Sequence, residues 1–152
     1  MPELYINHSP HYADFIRLNE AWIAEYFSIE ESDRKLAANP GAVIKQGGFI
    51  LSLADEIDVL GVCALFSIDD NQYELARLAV DKTHLRKGYA DRLVSEALGI
   101  LKKQGATKVS LMSNTILKSA LALYLKHGFM IVSEGPHPVY QRTNIVMEKE
   151  LI

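Results

Sequence analysis

A change of hydrophobic period across one glycine turn constrains this chain more than any other feature. Glu74 to Val80 reads as seven residues of strand. A short polar connection follows, and Arg86-Lys87-Gly88-Tyr89-Ala90 then opens into a helix with Ala90, Leu93, Val94, Ala97, Leu98 and Leu101 on one stripe. A strand that feeds a helix through such a turn needs a sheet with helices packed on it. The same unit makes an anion site. A helix N-terminus carries about half a positive charge and up to four unpaired N–H groups, and the small residues Gly88 and Ala90 let a phosphate approach them. The turn is not a Walker A loop, since no Gly-Lys-Ser/Thr occurs, and it lacks the G-x-G-x-x-G of a dinucleotide fingerprint.

The other segments fit around this unit. Residues 3–7 predict a short edge strand. Phe15, Leu18, Trp22 and Tyr26, with Ile16, Ile23 and Phe27 beside them, predict a helix over 12–27. A short helix over 30–38 ends at Asn39-Pro40-Gly41. The runs 48–54 and 59–66 form a hairpin about Asp55–Asp58, and a second turn at Asp69–Gln72 leads into the Glu74 strand. After the main helix, which Gly105 caps, come a strand over 108–112 and a helix capped by Ser113-Asn114, with Leu117, Ala120, Leu121 and Tyr124 inward. Two last strands over 129–133 and 144–150 flank a loop with two prolines. This order predicts a mixed α/β (α+β) sheet of about seven strands covered by about four helices.

At 152 residues and 49% apolar composition, with no linker or repeat, the chain is expected to form a single domain over 1–152. A net charge of -3 supplies no general basic field, so nucleic acid is not the expected partner. No stretch of about 18 apolar residues suggests a membrane partner. The lone Cys63, inside the apolar run 62–66, reads as a buried inert thiol, which fits a cytoplasmic location. The five histidines form no i,i+4 pair, so no metal is expected.

Specificity rises with the second unit, where Asn114, Ala120 and Tyr124-Leu125-Lys126-His127-Gly128-Phe129 follow a strand. Here the chain resembles the GNAT superfamily of acyl-CoA-dependent N-acetyltransferases. Its Q/R-x-x-G-x-G/A motif falls on Leu85 through Ala90, and its late A-x-x-L/x-Y-x-x-x-GF signature on Ala120 through Phe129. A narrower resemblance is to small bacterial GNAT proteins, also found fused to MarR-type regulators. These share a Y-E-L-A-x-x-A-V strand, an S-N-T-x-L segment and a late Y-x-R-x-N/D-x-x-M stretch, here at Tyr73–Val80, Ser113–Leu117 and Tyr140–Met147. The chain departs from the glycine motif at its first position, where Leu85 stands and the basic residues are the adjacent Arg86 and Lys87.

The resemblance implies a GNAT-like acyl-CoA N-acyltransferase fold and acetyl transfer from acetyl-CoA to an amine by direct attack on the thioester. It implies that the backbone of Leu78, Ala79 and Val80 pairs with the pantetheine arm and polarises the thioester oxygen. Arg86, Lys87, Gly88, Tyr89 and Ala90 would hold the pyrophosphate, and Asn114 would bond the cofactor arm. Tyr124 takes the general-acid position, although periodicity alone makes it a core residue. Glu74 is either the base, sharing a strand face with Ala76, Leu78 and Val80, or a solvated carboxylate. Trp22, Tyr26 and Phe27 read as core or as acceptor pocket, and Tyr140, Arg142 and Asn144 close the same side. Arg142 reads either as a ligand for an acceptor carboxylate or as surface charge. The acceptor, a small molecule or peptide amine, is left open, and a homodimer through an exposed strand edge is compatible with the chain. A non-catalytic acyl-CoA sensor of the same fold and a small phosphosugar-binding domain are the alternatives.

Overall fold

The computed structural model describes residues 2–137 and 141–151. Among these, seven strands form one sheet: β1 (Glu3–Ile6), β2 (Phe49–Ala54), β3 (Val59–Asp69), β4 (Gln72–Val80), β5 (Lys108–Ser113), β6 (Met130–Glu134) and β7 (Ile145–Glu150). Their spatial order is β1-β2-β3-β4-β5-β7-β6. The helices are α1 (Tyr12–Tyr26), α2 (Glu31–Ala38), α3 (Ala42–Lys45), α4 (Tyr89–Lys103) and α5 (Lys118–Lys126). Every strand pair is antiparallel except β4 with β5. Between those two the chain crosses over through α4, and such a crossover returns a strand parallel to its predecessor.

Alternation along the strands gives the sheet two apolar faces. Leu51, Leu53, Cys63 and Leu65 pack with the buried stripe of α4 and with Tyr124 of α5. On the other face Ile50, Val62 and Ala64 pack with Phe15 and Leu18 of α1 and Val43 of α3. Cys63 is fully buried, and burial pushes its thiol up to about 12. It therefore stays protonated and unreactive.

The third helix, α3, lies where a plain turn was expected. Pro40 ends α2 and also starts the next turn, since its fixed φ suits a first helical position and its carbonyl accepts the Val43 N–H at 3.2 Å. The helix expected from Ser113-Asn114 begins later, at Lys118. Asn114 caps only the turn before it, accepting the Ile116 N–H at 3.0 Å. Tyr140 lies outside the described residues.

One local feature reorients β4. Ala76 pairs with Ala64 and Ala79 with Val62, so Arg77 and Leu78 together oppose Cys63, which makes a β-bulge. Arg77 adopts the left-handed φ of 59°, costly for a residue with a Cβ. The extra residue inverts the alternation. Leu75 and Leu78 pack with the α4 core, whereas Ala79 packs with the α1 core. Glu74 and Ala76 therefore do not share a face with Leu78 and Val80, contrary to simple alternation. Val80 instead lies beside Gly61 and Leu93 on the α4 side.

Candidate active site

The parallel pair β4–β5 is short. Its register covers only Gln72, Tyr73 and Glu74 against Lys108, Val109 and Ser110. Beyond Ser110 strand β5 continues to Ser113 paired with β7, and β4 continues to Val80 paired with β3. The two strands separate, and the β5-facing N–H and C=O groups of residues 75–80 have no strand partner. A cleft of about 930 Å³ occupies the gap, and its walls come from both sides of the sheet. Trp22 and Tyr26 of α1 and Phe27 just after it line one side, Leu85, Ala90 and Tyr124 the other, and Glu74 and residues 75–80 of β4 run between them. The aromatic residues of α1 thus line the cleft instead of serving only as core, and Tyr26 is 48% exposed.

Tyr124 occupies a position fixed by the way α5 ends. Gly128 has φ 90°, the Gly128 N–H bonds to the Leu125 carbonyl at 3.0 Å, and the Phe129 N–H bonds to the Tyr124 carbonyl at 3.1 Å. This is a Schellman motif, in which Gly128 supplies the left-handed residue and the flanking apolar side chains meet. The rings of Tyr124 and Phe129 are in edge contact, 5.9 Å between centroids. The tyrosine, glycine and phenylalanine of the late signature are therefore three parts of one helix ending. Burial, with a smaller effect of Cys63, pushes the Tyr124 phenol above its ordinary value. It remains neutral and can act as a hydrogen-bond donor at any ordinary pH.

Glu74 sits at the fork of the two strands, opposite Phe66 of β3 and Ser110 of β5. Burial pushes its carboxyl up to about 7, against the opposing pull of the Arg77 guanidinium. A carboxylate balanced near neutrality and facing a cleft has the properties of a general base.

The glycine turn between β4 and α4 has a backbone that suits its residue types. Asp81 caps the first part by accepting the Thr83 N–H at 2.9 Å. Arg86 and Gly88 then take left-handed φ values of 65° and 81°. A Cβ at Gly88 would meet nothing within 4 Å, so glycine is required there for its backbone angle and not for space. The first bond of α4 runs from Arg92 N–H to the Gly88 carbonyl at 3.0 Å, leaving the N–H groups of Tyr89, Ala90 and Asp91 without an acceptor within the helix. Arg86, Lys87 and Tyr89 are exposed or part-exposed, and like Gly88 they are not among the cleft's walls, although Leu85 and Ala90 on either side of them are. Leu85, the residue that departs from the family motif, is 56% exposed and lines the cleft next to them.

Two expected contacts are otherwise engaged. The Asn114 amide donates to the Arg142 carbonyl at 3.1 Å, its oxygen accepts from Ile116, and it is not among the cleft's walls. It braces the end of β5 against the loop before β7. Arg142 is not a plain surface charge: it lines the cleft, and carboxylates of this chain already engage it. Its guanidinium grips Asp33 through two bonds of 2.7 Å and reaches Glu30 at 3.0 Å.

Sequence reasoning missed this ionic group. Asp33, whose side chain is 2% exposed, also pairs with Arg77 at the bulge and accepts the Glu30 N–H at 2.8 Å. Burial alone would raise its carboxyl, yet the bonds from Arg142, Glu30 N–H and Arg77 hold it well below the usual carboxylate range. The available signals were a charged residue inside an apolar strand, Arg77, and an acidic pair at capping-box spacing, Glu30 and Asp33. Near the N-terminus of α4, Asp91 joins α5 through His127 Nε2 at 2.7 Å and Lys126 Nζ at 3.0 Å. Among the described residues, no group of three or more His, Cys, Asp or Glu side chains is placed to hold a metal ion.

Comparison with known proteins gives concordant results. A family profile described as the Acetyltransferase (GNAT) family matches residues 15–129. Human N-acetyltransferase 8 is 37% identical over 92 residues, 57% of this chain and 40% of that protein, so the chain spans well under half the length of this curated relative. An acetyltransferase of the GNAT family from Staphylococcus aureus Mu50 has a similar structure, with a TM-score of 0.88 at 18% identity over all of both chains. The PaiA N-acetyltransferase from Thermoplasma acidophilum, solved in complex with coenzyme A, has a TM-score of 0.72 at 22% identity, covering 97% of this chain and 99% of that one.

Proposed function

The chain belongs to the GNAT acetyltransferase family, and from that premise we propose that it transfers the acetyl group of acetyl-CoA to a primary amine by direct attack of nitrogen on the thioester. The observation that carries this reading is the gap between β4 and β5, with Glu74 facing it from the α1 side and Tyr124 from the α4 side. The unpaired edge of residues 75–80 has the spacing of amide groups that a pantetheine arm can join, and Leu78, Ala79 and Val80 supply the groups nearest the phosphate turn. The N–H groups at the start of α4, with Arg86, Lys87 and Gly88, are suited to the pyrophosphate.

In this reaction Glu74 takes a proton from the ammonium and passes it to solvent. The C–N bond forms, a β4 N–H stabilises the developing oxyanion, and the C–S bond breaks as the adduct loses one of its two N–H protons, the other staying on the amide nitrogen. Tyr124 protonates the departing sulfur and recovers its own proton. The products are the N-acetyl amine, CoA and one proton. Asn114 supports the site as a brace for β5.

Residues 1–152 would act as one unit in the cytoplasm; among the described residues no helix is long and apolar enough to cross a membrane. Two copies could pair along the outer edge of β6, where Met130, Ile131 and Val132 are exposed. The test is release of free CoA from acetyl-CoA with a panel of primary amines. Steady, amine-dependent release is expected. Binding of acetyl-CoA without such release from any amine would instead favour an acyl-CoA sensor.

A further inference from the structure

The charges on the α1 side of the cleft are unevenly compensated. Arg17 lies 3.0 Å from Asp14 and 3.9 Å from Asp81, and Lys82 lies 3.9 Å from Glu25. Arg77 and Arg142 share Asp33, and Arg142 also holds Glu30. Each cation on this side therefore has a carboxylate already. Lys118, the remaining cation on the cleft wall, begins α5 on the other side of the sheet. Glu74 forms no ion pair among the described residues, and it is the carboxylate at the fork. Next to it the wall is aromatic. Phe66 is its cross-strand neighbour, and Trp22 lies against Tyr26 and Phe27 with ring centroids 5.6 and 5.9 Å away.

Resting on the acetyl-transfer reading, we propose that the acceptor is an arylalkylamine: one primary amine on a flat apolar body, without an acid group. The ammonium is matched by Glu74, the carboxylate of the cleft wall that forms no ion pair among the described residues, and the body is matched by the rings of Trp22, Tyr26 and Phe27. An α-amino acid brings a second, negative charge. It would have to be desolvated beside Glu74, where each described cation of the α1 side already has a carboxylate and Lys118 stands on the other side of the sheet. A polyamine or aminoglycoside brings several cations to a wall with one unpartnered carboxylate. The compensated arginines thus act as negative selection as well as structure.

Trp22 is the chain's only tryptophan, so its fluorescence reports the acceptor site without any need for turnover. With CoA present, phenethylamine, phenylalanine and spermidine are titrated against Trp22 emission, and kcat/KM is measured for each with acetyl-CoA. Phenethylamine is expected to bind at least tenfold more tightly than either of the others and to lead in kcat/KM by a similar factor. Trp22→Ala should lower kcat/KM for phenethylamine at least tenfold while KM for acetyl-CoA stays within twofold. Equal or better binding of phenylalanine or spermidine overturns the assignment, as does the absence of any emission change with all three. Selective phenethylamine binding without acetylation would uphold the ligand class of this site but overturn both acetyl transfer and the role of the amine as acceptor.

Discussion

Replacing Glu74 by Gln probes the site through stability as well as rate. Burial raises the carboxyl from its ordinary 4.5 to about 7. Between these values the folded protein binds a proton that the unfolded chain has lost, so the wild type loses stability as pH rises through this window. The full difference is worth about 3 kcal/mol, at 1.36 per pKa unit, and solvent reaching the open cleft reduces it to about 2 kcal/mol. Gln carries no charge and avoids the penalty. Glu74→Gln should therefore melt roughly 4–8 °C above wild type at pH 8, with the advantage disappearing near pH 4. Activity should move in the opposite direction. The wild-type rate should climb to a plateau with a midpoint near 7, while the variant loses about 10²-fold or more and shows no such step. Thermal melts at both pH values and a pH–rate profile provide the test. An equal melting difference at pH 4 and pH 8 would refute the desolvation argument, and a parent-like profile in the variant would remove the base role.

Three further outcomes follow from the geometry. Tyr124→Phe keeps the ring contact with Phe129 and removes only the hydroxyl, so turnover should fall by about 10² or more with acetyl-CoA affinity nearly unchanged, measured by steady-state kinetics and calorimetry. Asp33→Asn leaves Arg77 and Arg142 facing each other across an uncharged group, and denaturant unfolding should show a loss of about 3–5 kcal/mol. Because the Asp33 carboxyl is held well below its usual range, the wild-type group should persist at pH 4, where exposed carboxylates are already titrating. Gly128→Ala introduces a Cβ at φ 90°, 2.6 Å from the flexible end of Lys149, and chemical denaturation should show a cost of about 1–2 kcal/mol or more.

Elements whose burial follows a regular period were legible from residue types alone. The stripe of α4 and the glycine ends of α4 and α5 came out within a residue or two, and the β2–β3 hairpin within three, because each depends on local pattern and on φ preferences that glycine reports. The bulge at Arg77 did not, since nothing about arginine announces a left-handed φ, and the missed residue inverted the face assigned to Leu78 and Val80. The separation of β4 from β5 is likewise a property of three strands and two helices together. The role of Arg142 depended on Asp33, 109 positions away, so its partner could not be read from its neighbours. Asn114 was correctly placed at the end of β5, yet its bonds go to the chain and not to the cleft. Trp22, Tyr26 and Phe27 have the spacing of a core stripe, and only the gap beside them makes that stripe a wall.

The separated edge of β4 has one more consequence. An unpaired run of amides normally invites another polypeptide to add itself, with aggregation as the hazard. Here α1 stands over one side of the slot and the start of α5 over the other. A peptide strand sends side chains alternately above and below its own plane, so both helices would collide with it. A slender amide chain with few branches passes between them. The slot therefore works as a filter on thickness: it offers strand-like hydrogen bonding while excluding strands, which lets the protein keep a permanently open sheet edge without becoming adhesive to its own kind.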